Sequence, residues 1–293
     1  MKASNFKPSM SSLLLSMSPL LLINLAINVP LMLVATMGNA LILAAISRTP
    51  SLRTPSILLL GSLAVSDLLV GVVVQPLYIT SGLVTSLPLD SIWFVLSFAT
   101  CGISLCSITA ISVDRLLALH YHLRYPTIVT ASRIKITLVL MWIAIFLLSG
   151  VYFWSMTVYL FIIALGVSLC LTISTCSYIR IFTIVRSQQR KIQCQRQAIN
   201  SLNENTRIIS NMQQLKKSAM NSFLFFIVIV LFYLPMSTFL SLYLLEKNWH
   251  KGWSFATTLV FMNSSINPFL YCWRMRGLRA SVVKTARKLF CKQ

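Results

Sequence analysis

The residues able to do chemistry in this chain are few, and they stand at the ends of apolar runs or alone inside them. Asp114 and Arg115 close a run of 23 uncharged residues that begins after Asp90. His120, His122 and Arg124 follow directly. An acid and a base side by side at such an edge suit a membrane helix meeting water. Arg115 there can snorkel to lipid headgroups, or Asp114 can restrain it as part of a switch. Asp67 stands alone in the middle of another apolar run. An ionisable group at that depth is costly unless polar partners face it, so function is the default reading. The plainer alternative is a polar network that only holds helices together. Catalysis finds no support. His120, His122 and His250 fall in loops, and the seven cysteines show no metal-ligand spacing. No nucleophile, base and metal set converges, so the chain is read as a non-enzyme.

The elements that position these residues follow from composition. The chain is 57% hydrophobic and 10% charged, where a soluble domain carries about 25% charged residues. A membrane helix needs about 20 apolar residues. Uncharged runs fit seven of them. Lys7 to Arg48 encloses 40 residues, Lys135 to Arg180 encloses 44, Lys217 to Glu246 encloses 28 and Lys251 to Arg274 encloses 22. The stretch from Arg53 to Asp90 holds one span containing Asp67, and that from Asp90 to Asp114 another. The 44-residue run fits two crossings with almost no loop between them. Helix extensions are expected after Arg180 and before Lys217, joined near Asn200–Asn205. The expected architecture is an all-α seven-transmembrane helix bundle. Residues 1–19 form a short extracellular N-terminus, 20–275 the bundle, and 276–293 a cytoplasmic amphipathic surface helix and tail. In that last helix Leu278, Val282 or Val283, Ala286 and Phe290 share one face among Arg279, Lys284, Arg287 and Lys288. Cys291 near its end is a candidate for palmitoylation.

Seven spans put the termini on opposite sides. With the C-terminus inside, 21 of the 25 Lys and Arg lie inside, and Lys2, Lys7, Lys247 and Lys251 outside. Positive residues gather in cytoplasmic loops, so the N-terminus is placed outside. The net charge of +20 is then accounted for without nucleic acid. No cysteine falls in an outside loop, so no disulfide framework is expected.

In this frame the chain resembles the rhodopsin-like (class A) G-protein-coupled receptors. The resemblance rests on one motif per helix: Gly38-Asn39, Leu63-Ala64-Val65-Ser66-Asp67, Asp114-Arg115-Leu116, Trp142, Tyr178, Phe232-Tyr233-Leu234-Pro235 and Asn267-Pro268-Phe269-Leu270-Tyr271. It implies a receptor in the plasma membrane that passes an extracellular signal to heterotrimeric G proteins by outward movement of helix six. It implies that Asp114 restrains Arg115, which on activation turns toward Tyr178, Tyr271 and the G protein. Leu123 takes the place of an apolar plug into the G protein, with His122 at the usual proline position. Asn39, Asp67, Ser104, Asn263 and Asn267 take the places of a sodium pocket, the allosteric ion lying at Asp67 and Ser104. Pro235 and Pro268 are expected to kink helices six and seven. Leu215-Lys216-Lys217 stands where many relatives carry an acid, so the longer inactive-state lock is absent and raised basal signalling is expected.

The chain also departs from the family. Asp90 stands 25 residues before Arg115, where a disulfide cysteine is usual, and the second outer loop has no room for its partner. Cys170 replaces the helix-five proline. Cys170, Leu105 and Ile229 replace the transmission trio, and Tyr233 the toggle tryptophan. The missing disulfide, short loop and absent proline are similar to melanocortin receptors, and LRYPTIVT resembles both those and adenosine receptors. Asp90 matches one of three melanocortin calcium ligands, but Leu77 and Phe94 hold the other two places.

The ligand pocket is expected among helices three, five, six and seven. Ser97, Phe98 and Cys101 line it from helix three, Tyr233, Met236, Ser237 and Leu240 from helix six, and Thr257 and Phe261 from helix seven. By resemblance, Ser97 in place of an aspartate disfavours a biogenic amine, and Phe261 in place of a lysine disfavours retinal. A small molecule, a lipid or a short peptide stays open. So does a degenerate or constitutively active receptor. A transporter is less favoured, because no internal repeat accompanies the one buried acid.

Overall fold

The computed structural model describes residues 19–49, 54–84, 87–121, 124–198, 227–245 and 252–290. Among them every regular element is helical. The helices are α1 (Pro19–Arg48), α2 (Pro55–Leu83), α3 (Leu87–Tyr121), α4 (Ala131–Ser149), α5 (Met156–Ala198), α6 (Ile227–Leu245), α7 (Trp253–Arg274) and α8 (Arg276–Phe290). The expected seven-helix bundle with a C-terminal helix is what the chain forms. Six of the helices are long and apolar enough to cross a membrane. In α7 the polar run Asn263, Ser264, Ser265 and Asn267 lowers the hydropathy, yet all four side chains are buried. Its polar face turns inward.

Burial identifies the axis. In α3, 67% of the apolar window is inside the protein, against 6% for α4 and 11% for α5. Thus α3 is the central post, and α4 and α5 present mostly outward surface. The helix ends follow local chemistry. Pro55 opens α2 after Thr54, where its missing N–H costs nothing. The Thr130 hydroxyl accepts from Arg133 N at the start of α4. Gly252 caps α7 at φ 150°, and a side chain there would also strike the Phe239 ring. Between α4 and α5 lie only the 3₁₀ turn Gly150–Phe153 and the pair Trp154-Ser155. The near absence of that loop was legible from the spacing of charges. At 43 residues, α5 is about 65 Å long, roughly twice the ~30 Å hydrocarbon, and so carries the expected extension. The expected joint near Asn200–Asn205 and the residues Leu215-Lys216-Lys217 lie outside the described residues.

Pro235 and Pro268 both lie inside continuous helices, as does Pro30 in α1. One feature of α2 had no sequence forecast. Residues Val70–Val74 form a π turn immediately before Pro76. Proline lacks an N–H and crowds the carbonyl of the preceding turn, and a widened turn absorbs both faults. Within it, Gly71 meets α1. A Cβ there would sit 2.8 Å from Thr36 N and 2.6 Å from its Oγ1. Small residues allow such close backbone approach in membranes. The apolar face of α8 is Leu278 and Val282, both buried, while Val283 is exposed. The helix packs on α1 and α7, and Arg279, Lys284, Arg287 and Lys288 stay exposed. The Phe290 side chain and Cys291 lie outside the described residues.

Gly71→Ala should lower the thermal midpoint of the purified chain in detergent, by the roughly 1–3 kcal/mol of an overpacked contact. Gly61→Ala, where an added Cβ meets nothing within 4 Å, should not. Equal midpoints for the two variants would remove the close α1–α2 approach.

Candidate functional site

The lower polar centre is built on Asp67, which has no exposed surface. Its Oδ1 accepts from Ser104 Oγ of α3 at 2.9 Å and from Ser264 Oγ of α7 at 2.8 Å. Its Oδ2 accepts from Asn267 Nδ2 at 2.7 Å. Asn263 Nδ2 donates to Ser104 Oγ at 3.3 Å. Asn39 does not reach the carboxylate. It donates to Ser264 O at 3.0 Å and to Ala35 O at 2.8 Å, so it ties α1 to α7. Three helices therefore meet at one acid, and α1 joins them through the Ser264 carbonyl. Ser264 was missed in the sequence, while its neighbour Asn263 was named and joins the network through Ser104. Adjacent residues point about 100° apart on a helix, and both sides of that angle are polar here.

The donor set suits a hard monovalent cation. The Oδ1 atoms of Asn39, Asn263 and Asn267 are buried and accept no hydrogen bond. Hard cations take oxygen ligands, and the two serine hydroxyls can turn lone pairs toward an ion beside the carboxylate. No group of three or more His, Cys, Asp and Glu converges among the described residues. One carboxylate with neutral oxygens is the donor chemistry present.

The second centre lies at the α3 edge. Arg115 NH2 stands 3.7 Å from Asp114 Oδ2, with the arginine side chain 33% exposed and the aspartate 3%. Two hydroxyls hold the aspartate. Ser56 Oγ donates to Oδ2 at 2.7 Å, and Tyr125 OH donates to Oδ1 at 2.6 Å. Tyr125 opens the short helical turn Tyr125–Ile128 in the loop after α3, and burial raises its phenol above the ordinary value, with the Asp114 hydrogen bond adding to this. The pair is thus anchored from α2 and from the loop. Sequence reading missed both anchors, although Tyr125 sat inside a quoted motif. Arg115 Nε is buried without a partner. Tyr178 is half-buried on α5, and Tyr271 is 1% exposed on α7. Leu123 lies outside the described residues.

The third centre is a cavity of about 300 Å³. All nine residues named for the pocket line it: Ser97, Phe98, Cys101, Tyr233, Met236, Ser237, Leu240, Thr257 and Phe261. Tyr233 donates to Cys101 O at 3.2 Å, so its hydroxyl ties α6 to α3. The cavity also extends where it was not expected, along Ile145, Leu148 and Ser149 of α4. Within its lining, Cys106 Sγ and Cys170 Sγ approach to 3.8 Å. In the first turn of α3, Asp90 accepts a hydrogen bond from Ser81.

A further polar cluster had no forecast. Asn24 Nδ2 donates to Thr258 Oγ1 at 2.8 Å, Asn28 Nδ2 to the same oxygen at 2.9 Å, and Tyr78 OH to Asn24 Oδ1 at 2.7 Å. It joins α1, α2 and α7 above the Asp67 centre.

Residues 38–154 match the family model of the seven-transmembrane receptors of the rhodopsin family. Over 104 residues the chain is 38% identical to the G-protein coupled receptor 12 of Homo sapiens, covering 36% of this chain and 31% of that receptor. Over 132 residues it is 36% identical to the adenosine receptor A3 of Canis lupus familiaris, covering 42% of this chain and 41% of the receptor. A similar match is found to the adenosine receptor A3 of Ovis aries. The chain spans about a third to two fifths of the length of these relatives.

Removing the Asn267 amide by Asn267→Ala should lower the thermal midpoint by the roughly 1–3 kcal/mol of a buried acceptor left unmade. Asp67→Asn combined with Asn267→Ala should cost less than the two single changes summed, because the two share one hydrogen bond. Strict additivity in thermal unfolding would break the hub apart.

Proposed function

Because this chain belongs to the rhodopsin family of seven-transmembrane receptors, we propose that it transmits an extracellular signal across the plasma membrane to a heterotrimeric G protein. It is a multi-pass membrane receptor rather than an enzyme. The observation that carries the proposal is the restrained Arg115. A guanidinium at a helix end could lie free on the headgroups. Here it stands beside an aspartate that two further hydroxyls hold in place. Releasing Arg115 means parting it from an aspartate that is held in place from α2 and from the following loop, an arrangement that suits a two-position switch.

In the proposed mechanism the N-terminus lies outside and α8 inside, following the distribution of basic residues. The signal enters at the outer cavity. Tyr233 loses its hold on Cys101, and α6 swings outward about Pro235, where one backbone hydrogen bond is already missing. Arg115 leaves Asp114, turns toward Tyr178 and Tyr271, and meets the G protein, with Leu123 as an apolar contact. A sodium ion would be held by Asp67 and Ser104 with the free amide oxygens of Asn263 and Asn267. It would supply positive charge to the buried carboxylate and favour the closed state. Asn39 positions Ser264 from α1. By the resemblance, Leu215-Lys216-Lys217 take the place of an acid in the sequence, so the closed state would lack one restraint and basal signalling would be raised.

Nucleotide exchange on G proteins in membranes from cells expressing the chain tests the switch. Arg115→Ala should reduce exchange to background at equal surface expression. Tyr125→Phe and Ser56→Ala should raise it, each removing a charged hydrogen bond worth roughly 1.5–3 kcal/mol. Exchange that Arg115→Ala leaves intact would sink the assignment.

Sodium chloride should raise the thermal midpoint of the wild-type chain above that in choline chloride, by up to roughly 2.7 kcal/mol at a hundredfold excess over Kd. Asp67→Asn should abolish the difference. Identical salt responses in both chains would remove the ion from Asp67.

A further inference from the structure

We infer that the outer cavity is loaded from the side: a neutral, single-chain lipophile bearing an acceptor oxygen reaches it from the bilayer through the gap between α4 and α5. The inference deepens the receptor reading by naming the class of its ligand, but its geometry stands apart from G-protein coupling.

Aromatic rings crowd the outer end among the described residues. Phe94 and Phe98 of α3 pack edge to face at 4.8 Å between ring centres. Trp253 of α7 stacks on Phe94 at 6.2 Å. Tyr159 of α5 meets Phe98 at 6.0 Å and Tyr152 at 5.5 Å. Phe94 is 9% exposed and Tyr159 only 2%. Offset and edge-on aromatic pairs add stabilisation beyond their buried area, so this cover is costly to open. Tyr152 also donates to Ser91 Oγ at 3.1 Å, which fastens the turn after α4 to the top of α3.

The side is open. Leu148 of α4 and Leu169 of α5 both line the cavity, yet they are 46% and 53% exposed. Gly166 lies between them on α5, lines the cavity and is itself exposed. A Cβ built there meets nothing within 4 Å. The inner wall is different, with Leu240 and Phe261 fully buried. The cavity therefore reaches the surface where α4 and α5 face hydrocarbon.

The lining sets the chemistry. No charged side chain contributes to it. Ser97, Ser149, Ser237 and Thr257 each spend their proton on a carbonyl of their own helix. Tyr159 is the exception. Its hydroxyl lies beside Ser149, but it is buried and makes no hydrogen bond. It is a donor awaiting an acceptor. A charged ligand would be desolvated here without compensation, and a peptide would bring many unsatisfied backbone groups. At about 300 Å³ the space is at the lower end of ligand pockets, which run from about 300 to 1,000 Å³. One acyl chain with an ester or hydroxyl oxygen near Tyr159 meets these conditions.

The test uses the full chain in lipid nanodiscs, without G protein. The probe is a long-chain monoacylglycerol carrying a diazirine and an alkyne, premixed into the bilayer. Crosslinked residues are read by mass spectrometry over time. Labelling should appear on the α3 segment Cys101–Cys106 and around Tyr233. Gly166→Phe should slow that interior labelling by about tenfold, within the range over which association rates respond to a hindered approach. Leu165→Phe, one residue away, exposed and absent from the lining, should not. If Gly166→Phe fails to give monodisperse protein, Leu148→Trp blocks the gap from its other lip. Tyr159→Phe should weaken labelling by the monoacylglycerol without altering that by the matching alkane probe. Equal interior labelling in the wild type and the blocked variant overturns the lateral route. Labelling confined to outward residues such as Leu165 and Ile173, or equal labelling by a long-chain alkylamine probe, overturns the ligand class. A chain that labels as expected but drives no nucleotide exchange keeps this inference and defeats only the G-protein reading.

Discussion

Inside the hydrocarbon there is no water to receive a polar group, and every such group must find its partner in protein. Asp67 is where that constraint presses hardest. A carboxylate at that depth persists only because α3 and α7 each turn hydroxyl or amide donors onto it. The requirement works in both directions. The acid needs three donors, and the donors hold three helices at fixed rotation around it. Asn39 then draws in α1 through the Ser264 carbonyl. The second cluster of Asn24, Asn28, Tyr78 and Thr258 repeats the arrangement higher up. Helices α1, α2, α3 and α7 are thus tied through two polar hubs, whereas α4 and α5 carry little buried surface and join the bundle through single polar links, Trp142 to Ser62 and Ser174 to Thr109.

That inequality explains how one bundle can hold and move at once. A hydroxyl on α4 or α5 usually bonds to its own helix, as Thr137, Ser168 and Thr172 do. Such groups satisfy themselves and bind nothing across the bundle. The heavily tied side serves as a frame, and the lightly tied side can yield. The cavity borders the lightly tied side, and the Arg115 assembly sits at the C-terminal end of the central post.

Much of this was legible in the sequence because charge is so scarce. A few charged residues delimit six stretches, one of them long enough for two crossings, and these give the seven helices, the missing loop between α4 and α5 and the extension of α5. Asp67 and Arg115 announced themselves for the same reason. What the sequence hid was rotation. It could not choose between Asn263 and Ser264, which are equally polar and adjacent. It could not find Ser56, a serine at a helix start like any other, as an anchor of Asp114. It placed nine pocket residues on one cavity but omitted its α4 wall, since Ile145, Leu148 and Ser149 look like any membrane-facing residues until a neighbour leaves space beside them. Asn24 and Asn28 lay in a long apolar run, where two asparagines could face one another or nothing.

The π turn at Val70–Val74 has a consequence for descent as well as for shape. A widened turn accommodates one residue more than the helix around it, and removing that residue would restore the regular spiral. Everything above it would then rotate by about 100°. Tyr78 would swing off Asn24 and Ser81 off Asp90, while Asp67 below kept its place. The part of α2 after the turn is therefore aimed independently of the part that carries Asp67, and a single codon gained or lost at this point would re-aim it as a block. Counting outward from Asp67 finds the equivalent residue in another receptor only if that receptor carries the same turn.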